Sequence, residues 1–417
     1  MNIKQLDKLE IATIGTFIAF FLIFIIGAIA PGLFLDRLVS YRNVVRRFLG
    51  IKDGFFFLTL IPFLVLIDVA YKGLIAYKPV SKAKKLSVEL FLLGLIVALA
   101  SAKASPNTNV TFNEPIVNHV IVITFDGTRA DVFRKASSIA DYFKSIGARA
   151  EYAISTYPTI TYPSHTSIFT GTYAVVHGVY DNKYYEVKAE TIFEVAYSYG
   201  LKSALVTPAS TLANMLSKGG TVADVYTGDE YADMSKVTTT AEQLLSEGYN
   251  LMRLHYVESD DTGHLYGADS EQYRAVIAAE QNEVKKLIDR IQEHGLRNDT
   301  VIILTADHGM FVNKHHHIYP AFVDHVPFVI MGGKVKPMQL KPPSTIDIAP
   351  TVAMLLGIRV PHQAVGVAIG EPFGEPNVRC DTGSLRANEI VTALAVALLF
   401  TSLFVILEDR AIRKFFE

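Results

Sequence analysis

The chain has 417 residues, half of them hydrophobic and 19% charged, with a formal net charge of −2. That balance is too apolar for an ordinary soluble protein of this length, which directs attention to membrane spans. It also gives no reason to expect a nucleic-acid partner, because the basic residues cluster beside apolar runs instead of forming a domain-wide patch.

Residues 11–35 carry no charge and are long enough to cross the hydrocarbon core, so the first span is predicted there. A second apolar run, 54–71, is interrupted by Pro62 and Asp68, and a third, 86–102, contains Glu89. A fourth, 387–407, contains Glu389. The loop before the third run holds Lys72, Lys78, Lys82, Lys84 and Lys85, and the tail after the fourth holds Arg410, Arg413 and Lys414. Both therefore face the cytoplasm, and the stretch between them lies on the extracytoplasmic side of the plasma membrane or its equivalent. Arg37, Arg42, Arg46, Arg47 and Lys52 break this rule if 54–71 spans and obey it if that run is re-entrant; both topologies stay open. The small residues around Ala100 resemble a signal-peptide end, but a retained anchor is the favoured reading. The single cysteine, Cys380, excludes an internal disulfide framework.

Residues 103–115 are polar, with Pro106 and Pro115, and read as a linker. From 116 to 375 the texture becomes that of one soluble domain. Strands are predicted at 119–125, 203–207, 251–257, 301–306 and 327–331, alternating with helical patterns, which gives an α/β fold with a mostly parallel sheet. Val276, Ile277, Val284, Leu287, Ile288 and Ile291 recur at helical spacing within 270–294, and Gly295 is the stop; this is the crossover helix.

Three of these strands end in acidic or histidine-rich segments, and strand C-termini are where an open α/β sheet holds ligands. The first runs into Asp126, the third into Asp260 and His264, and the fourth into Asp307 and His308, with His315, His316 and His317 shortly after. Carboxylate with imidazole suits zinc or another borderline divalent metal, and the number of such residues is enough for two ions. Two ions would clamp a phosphoryl group. A nucleophile is offered by YPTITYPSHTSIFTG, 157–171, where hydroxyls precede a helical stretch whose N-terminus favours phosphate. Thr161 is the leading candidate and Thr159 the fallback.

Together these segments resemble the alkaline phosphatase superfamily over about 115–370, in its type I phosphodiesterase/nucleotide pyrophosphatase and glycosylphosphatidylinositol ethanolamine phosphate transferase branches. TITYPSH followed by HGVYDN is similar to the former; DDTGHLYGADSEQY, ADHGM and IDIAPTVAMLLGIRVPHQAVG are similar to the latter. The resemblance implies a doubly wound, mostly parallel sheet with helices on both faces, here flanked by transmembrane helices. It implies Thr161 as nucleophile and Asn182 as a donor to the phosphate. One metal would be held by Asp126, Thr161, Asp307 and His308, the other by Asp260, His264 and His316, with Asp261, His315 and His317 as neighbouring substitutes. A sulfatase is disfavoured, because Thr161, Pro163 and His165 stand where that branch carries a cysteine or serine motif. The transferases usually continue into a multi-span region, whereas one span follows here.

The expected activity is that of a membrane-anchored, two-metal phosphodiesterase or phosphotransferase working through a phospho-threonine. The metal is zinc, with manganese as the alternative. Its substrate is a phosphodiester or a lipid- or glycan-linked phosphoethanolamine-type group, its surroundings the lipid bilayer. A cell-surface nucleotide pyrophosphatase is the alternative, and a non-catalytic membrane binding protein is the reading from another class.

Overall fold

The computed structural model of the protein describes residues 108–312 and 320–380. The predicted spans at 11–35, 54–71, 86–102 and 387–407, and the histidine run 315–317, lie outside the described residues. Among the described residues no helix is long and apolar enough to cross a membrane.

The domain opens with β1 (His119–Phe125), α1 (Ala130–Ala136), α2 (Ile139–Ile146), β2 (Gly147–Ala150) and β3 (Ala153–Ile154). Helices α3 (Thr161–Thr170), α4 (Ala174–His177) and α5 (Ile192–Ser198) lead to β4 (Ser203–Val206), α6 (Ser210–Ser217) and β5 (Asp224–Tyr226). Then come α7 (Met234–Ser246), β6 (Leu251–Tyr256), α8 (Glu258–Tyr266), α9 (Glu271–Glu293) and β7 (Thr300–Thr305). The described residues finish with α10 (Pro320–Val323), β8 (His325–Val326), β9 (Phe328–Gly332), β10 (Met338–Leu340), α11 (Ile348–Leu356) and the pair β11 (Val367–Ala368) and β12 (Val378–Arg379).

The main sheet has the order β10-β2-β9-β7-β1-β6-β4-β5. All its strands run one way except β9, which is antiparallel to both neighbours. The central strand reads HVIVITF and is buried on both faces, as a parallel strand covered by helices must be. Its side chains alternate between two cores: Val120 and Val122 meet α3, α5 and α11 through Phe169, Phe193 and Val352. Ile121, Ile123 and Phe125 meet α1, α2, α7 and α9 through Phe133, Phe143, Ala241 and Leu287. Burying each such side chain contributes about 1.5–3 kcal/mol, so the two-sided core dominates the stability.

The predicted crossover is α9. The Ser270 side chain caps its N-terminus by accepting from the Tyr273 amide. Of the predicted apolar positions, Ile277, Val284, Leu287, Ile288 and Ile291 are buried, whereas Val276 is half-buried. Glu280 and Gln281 share the buried face. Residues 108–116, the C-terminal part of the predicted linker and its continuation, are tied to the 355–362 segment by backbone hydrogen bonds that include Thr108 N–H to His362 O (2.7 Å) and Ile116 N–H to Leu355 O (2.8 Å). Strand β12 lies past the predicted end of the domain at 375.

Candidate active site

The C-terminal ends of β1, β6 and β7 lie side by side at the centre of the sheet, and each delivers an acidic residue there. Asp126 follows β1, Asp307 follows β7, and Asp260 sits in the first turn of α8 just after β6. Asp126, Asp260 and His308 each offer a ligand atom, and these atoms lie within 4.8 Å of one another. His308 Nε2 is 3.5 Å from Asp126 Oδ1 and 3.3 Å from Asp307 Oδ2.

The turn after β1 is fixed by a lattice of hydrogen bonds. Tyr273 Oη donates to the Gly127 carbonyl at 2.6 Å, and Ser259 Oγ donates to the Asp126 carbonyl at 2.6 Å. The Ser259 amide in turn donates to Glu280 Oε1 at 3.0 Å, which ties α8, and hence Asp260, to the crossover helix. Gly127 has φ +64°, and a Cβ there would collide with the Asp260 carboxylate, so this turn admits only glycine.

Asp307 is fully buried; its Oδ1 accepts from the Gly127 amide (3.1 Å) and the His308 amide (2.9 Å). Asp126 Oδ2 lies 2.8 Å from His255 Nε2, while His255 Nδ1 lies 2.9 Å from Thr207 Oγ1. Burial, with Arg253 and His308 adding to it, lowers the His255 pKa well below the ordinary value. The neutral ring therefore donates Nε2–H to Asp126 and accepts at Nδ1 from Thr207.

The remaining oxygens, Asp126 Oδ1 and Asp307 Oδ2, are buried and accept no hydrogen bond among the described residues. Burial pushes the Asp126 carboxyl well above the usual range, reinforced by Asp307 and Asp260 and opposed by Arg253. The Asp307 carboxyl is also raised, by burial first. Two carboxylates with unsatisfied oxygens and an imidazole between them form an unfavourable arrangement that a divalent cation relieves. The residues present fit such an ion.

Thr161 is the first residue of α3. His165, one turn on, joins that helix to the acidic cluster: its Nδ1 is 2.8 Å from the Thr161 carbonyl and 3.6 Å from Asp307 Oδ2. Its Nε2 is 3.0 Å from Thr124 Oγ1 on β1. The Tyr162 amide donates to Asn182 Oδ1 at 2.9 Å, so Asn182 sits at the helix N-terminus. That bond commits the Tyr162 amide, and Pro163 has none. Thr159 is fully buried whereas Thr161 is half-buried.

Of the residues expected from sequence, Asp126, Asp260, Asp307 and His308 come together. His264 stands beside Asp260, with Nε2 3.3 Å from Oδ2, one helical turn along α8. Asp261 is exposed on that helix, and His316 lies outside the described residues. Sequence reasoning gave no role to His165, Arg253 or His255. The signal for the last two was present: LMRLHY places an arginine and a histidine inside a strand buried on both faces.

Residues 120–325 match the family model "Type I phosphodiesterase / nucleotide pyrophosphatase". Ectonucleotide pyrophosphatase/phosphodiesterase family member 7 of Mus musculus is 27% identical over 224 residues, covering 47% of this chain and 51% of that protein. Venom phosphodiesterase of Naja atra is 26% identical over 215 residues, 46% of this chain and 26% of that one. The chain thus spans about half, or less, of the length of the curated relatives it matches. The structure of murine ectonucleotide pyrophosphatase/phosphodiesterase 5 superposes with a TM-score of 0.52 at 18% identity, covering 58% of this chain and 96% of that one, which establishes the fold. The segment 120–325 is thus a domain of the type I phosphodiesterase/nucleotide pyrophosphatase family.

Proposed function

We propose that this chain is a divalent-metal-dependent phosphodiesterase in which Thr161 is the nucleophile. The observation that carries the reading is the convergence of Asp126, Asp260 and His308 beside Asp307 at the ligand edge of a parallel sheet. In this reading Asp126, Thr161, Asp307 and His308 hold one ion, and Asp260, His264 and His316 hold a second, with zinc or manganese as the metal. Bound metal supplies Lewis-acid polarisation of the phosphoryl oxygens.

Thr161 Oγ attacks phosphorus in line: the Oγ–P bond forms as the bond to the leaving alkoxide breaks, and the threonine proton passes to solvent as the alkoxide gains one. Water then attacks phosphorus from the opposite side, releases the phosphate ester and restores the hydroxyl. His165 holds the first turn of α3 in place through the Thr161 carbonyl. Asn182 has its Oδ1 on the Tyr162 amide, so its Nδ2 is the arm that meets the transferred group. Together with the Thr161 amide it stabilises the developing charge, a contribution of about 10²-fold per donor.

A nucleotide-type diester is supported by the names of the relatives, which include a bis(5'-adenosyl)-triphosphatase of Xenopus laevis, and by a murine family structure in complex with AMP. Transfer to a lipid or glycan hydroxyl is supported by the apolar runs on either side of the domain, which also argue for anchoring in a membrane. The test is hydrolysis of bis-p-nitrophenyl phosphate and p-nitrophenyl phosphate by the full-length chain with added zinc or manganese. Diester cleavage should require metal, and Thr161→Ala should lower it by about 10³-fold or more while metal still binds. Full activity in that variant refutes the assignment.

A further inference from the structure

Arg253 lies within β6, in register with Val122 on β1 and Leu205 on β4. By strand alternation it shares a face with Leu251 and His255, the face covered by α3. It is 0% exposed, and none of its three guanidinium nitrogens has a hydrogen-bond partner among the described residues. Its guanidinium lies 5.8 Å from the ring centroid of Phe169 on α3, a marginal cation–π distance. Burial lowers its pKa to about 9, and the Asp126 and Asp307 carboxylates work against that fall, so it remains a cation at neutral pH. A buried charge without hydrogen bonds is costly, and neither packing nor a local ion pair accounts for it here. On the same face, His255 two residues on reaches Asp126, and Asp126 and Asp307 are the carboxylates whose charge acts on Arg253.

We propose that Arg253 is a positioning charge of the active centre: a fixed internal cation beneath α3 that balances the Asp126–Asp307 pair and adds positive potential where the phosphoryl group docks. The inference rests on the phosphodiesterase reading above. It has two consequences of opposite sign. A fixed cation repels divalent metal, so removing it strengthens metal binding; it attracts phosphate, so removing it weakens anion binding. A scaffold role would weaken both.

The experiment uses the full-length chain as wild type, Arg253→Met and Arg253→Lys. Manganese affinity of the metal-free proteins is measured by chelator competition, and inorganic phosphate affinity of the metal-loaded proteins by calorimetry. Arg253→Met should bind manganese about tenfold more tightly and phosphate about tenfold more weakly, as expected for one unit charge at short range in a buried site. Arg253→Lys should stay within about threefold of wild type in both, because it keeps the charge. A folded Arg253→Met that is unchanged in both affinities, or weaker in both, overturns the proposal. If the methionine variant does not fold, Arg253→Gln takes its place with the same criteria, and a lysine variant that loses either affinity is equally fatal. A wild-type chain that binds neither metal nor phosphate refutes the phosphodiesterase reading itself, a result distinct from any difference among the variants.

Discussion

The two sides of the candidate metal site are built differently. On the inner side, Asp126, Asp307 and His308 are 4%, 0% and 1% exposed, and both carboxylates are held by hydrogen bonds from His255 or from backbone amides. On the outer side, the Asp260 and His264 side chains are 19% and 40% exposed and ride on one short helix. The inner side is preorganised in a medium that penalises its own charge; the outer side is hydrated and adjustable. Under the proposed function, a ligand set divided this way would separate affinity from access, the buried half securing a cation and the open half meeting solvent and substrate.

The largest effect should come from the inner side. Asp307→Ala removes a buried carboxylate whose Oδ1 accepts two amides, and we expect diesterase activity to fall about 10³-fold or more, with loss of metal-induced thermal stabilisation. Calorimetry with and without metal checks this; a variant that metal still stabilises would show the inner side to be dispensable. His264→Ala should be milder, lowering activity about 10- to 100-fold at limiting metal, with recovery in excess metal. An activity loss equal to that of Asp307→Ala, unrelieved by metal, would erase the distinction between the two sides.

The smallest effect is a pH dependence. Asp126 and Asp307 have raised pKa values in the folded protein, so between the ordinary carboxylate range and those raised values the native state binds more protons than the unfolded chain. Their contribution to metal-free stability is therefore present at acid pH and is lost as pH climbs through that window. Metal displaces the same protons, so the rise in Tm on adding zinc or manganese should be larger at pH 8 than at pH 6. A shift that is constant with pH would mean that the inner carboxylates are ionised without metal.

The five predicted strands and the crossover helix were legible in the sequence because two-sided burial leaves a mostly apolar run, broken in β6 by Arg253 and His255, and one-sided burial leaves a helical stripe. The acidic strand ends were legible only jointly: one Asp before a Gly is most often a turn residue, but acidic or histidine-rich segments closing three strands of one sheet point to a shared site. Strands β2, β5 and β10 were not: GARA, DVY and MQL are too short to show a period, and pairing with neighbours makes them strands. The reversed direction of β9 was equally hidden, because an apolar run carries no sense of orientation. The links from His165 to Asp307 and from His255 to Asp126 join residues 142 and 129 positions apart, which only the fold brings into contact.

The reversal of β9 bears on how this protein can change over evolutionary time. Because β7 and β9 are antiparallel neighbours, β7 ends and β9 begins at the same margin of the sheet, and the chain need not cross a face of the domain between them. No helix has to carry it back, as one must between two parallel neighbours. The described parts of this connection are anchored: Ala306 and Val326 belong to one core and Met310 to the other, β8 pairs with β3, and the Gly309 amide donates to the Val323 carbonyl. Selection for a new substrate therefore has a connection to work on that starts beside Asp307 and His308 and needs no crossover helix, between ends that the cores hold in place.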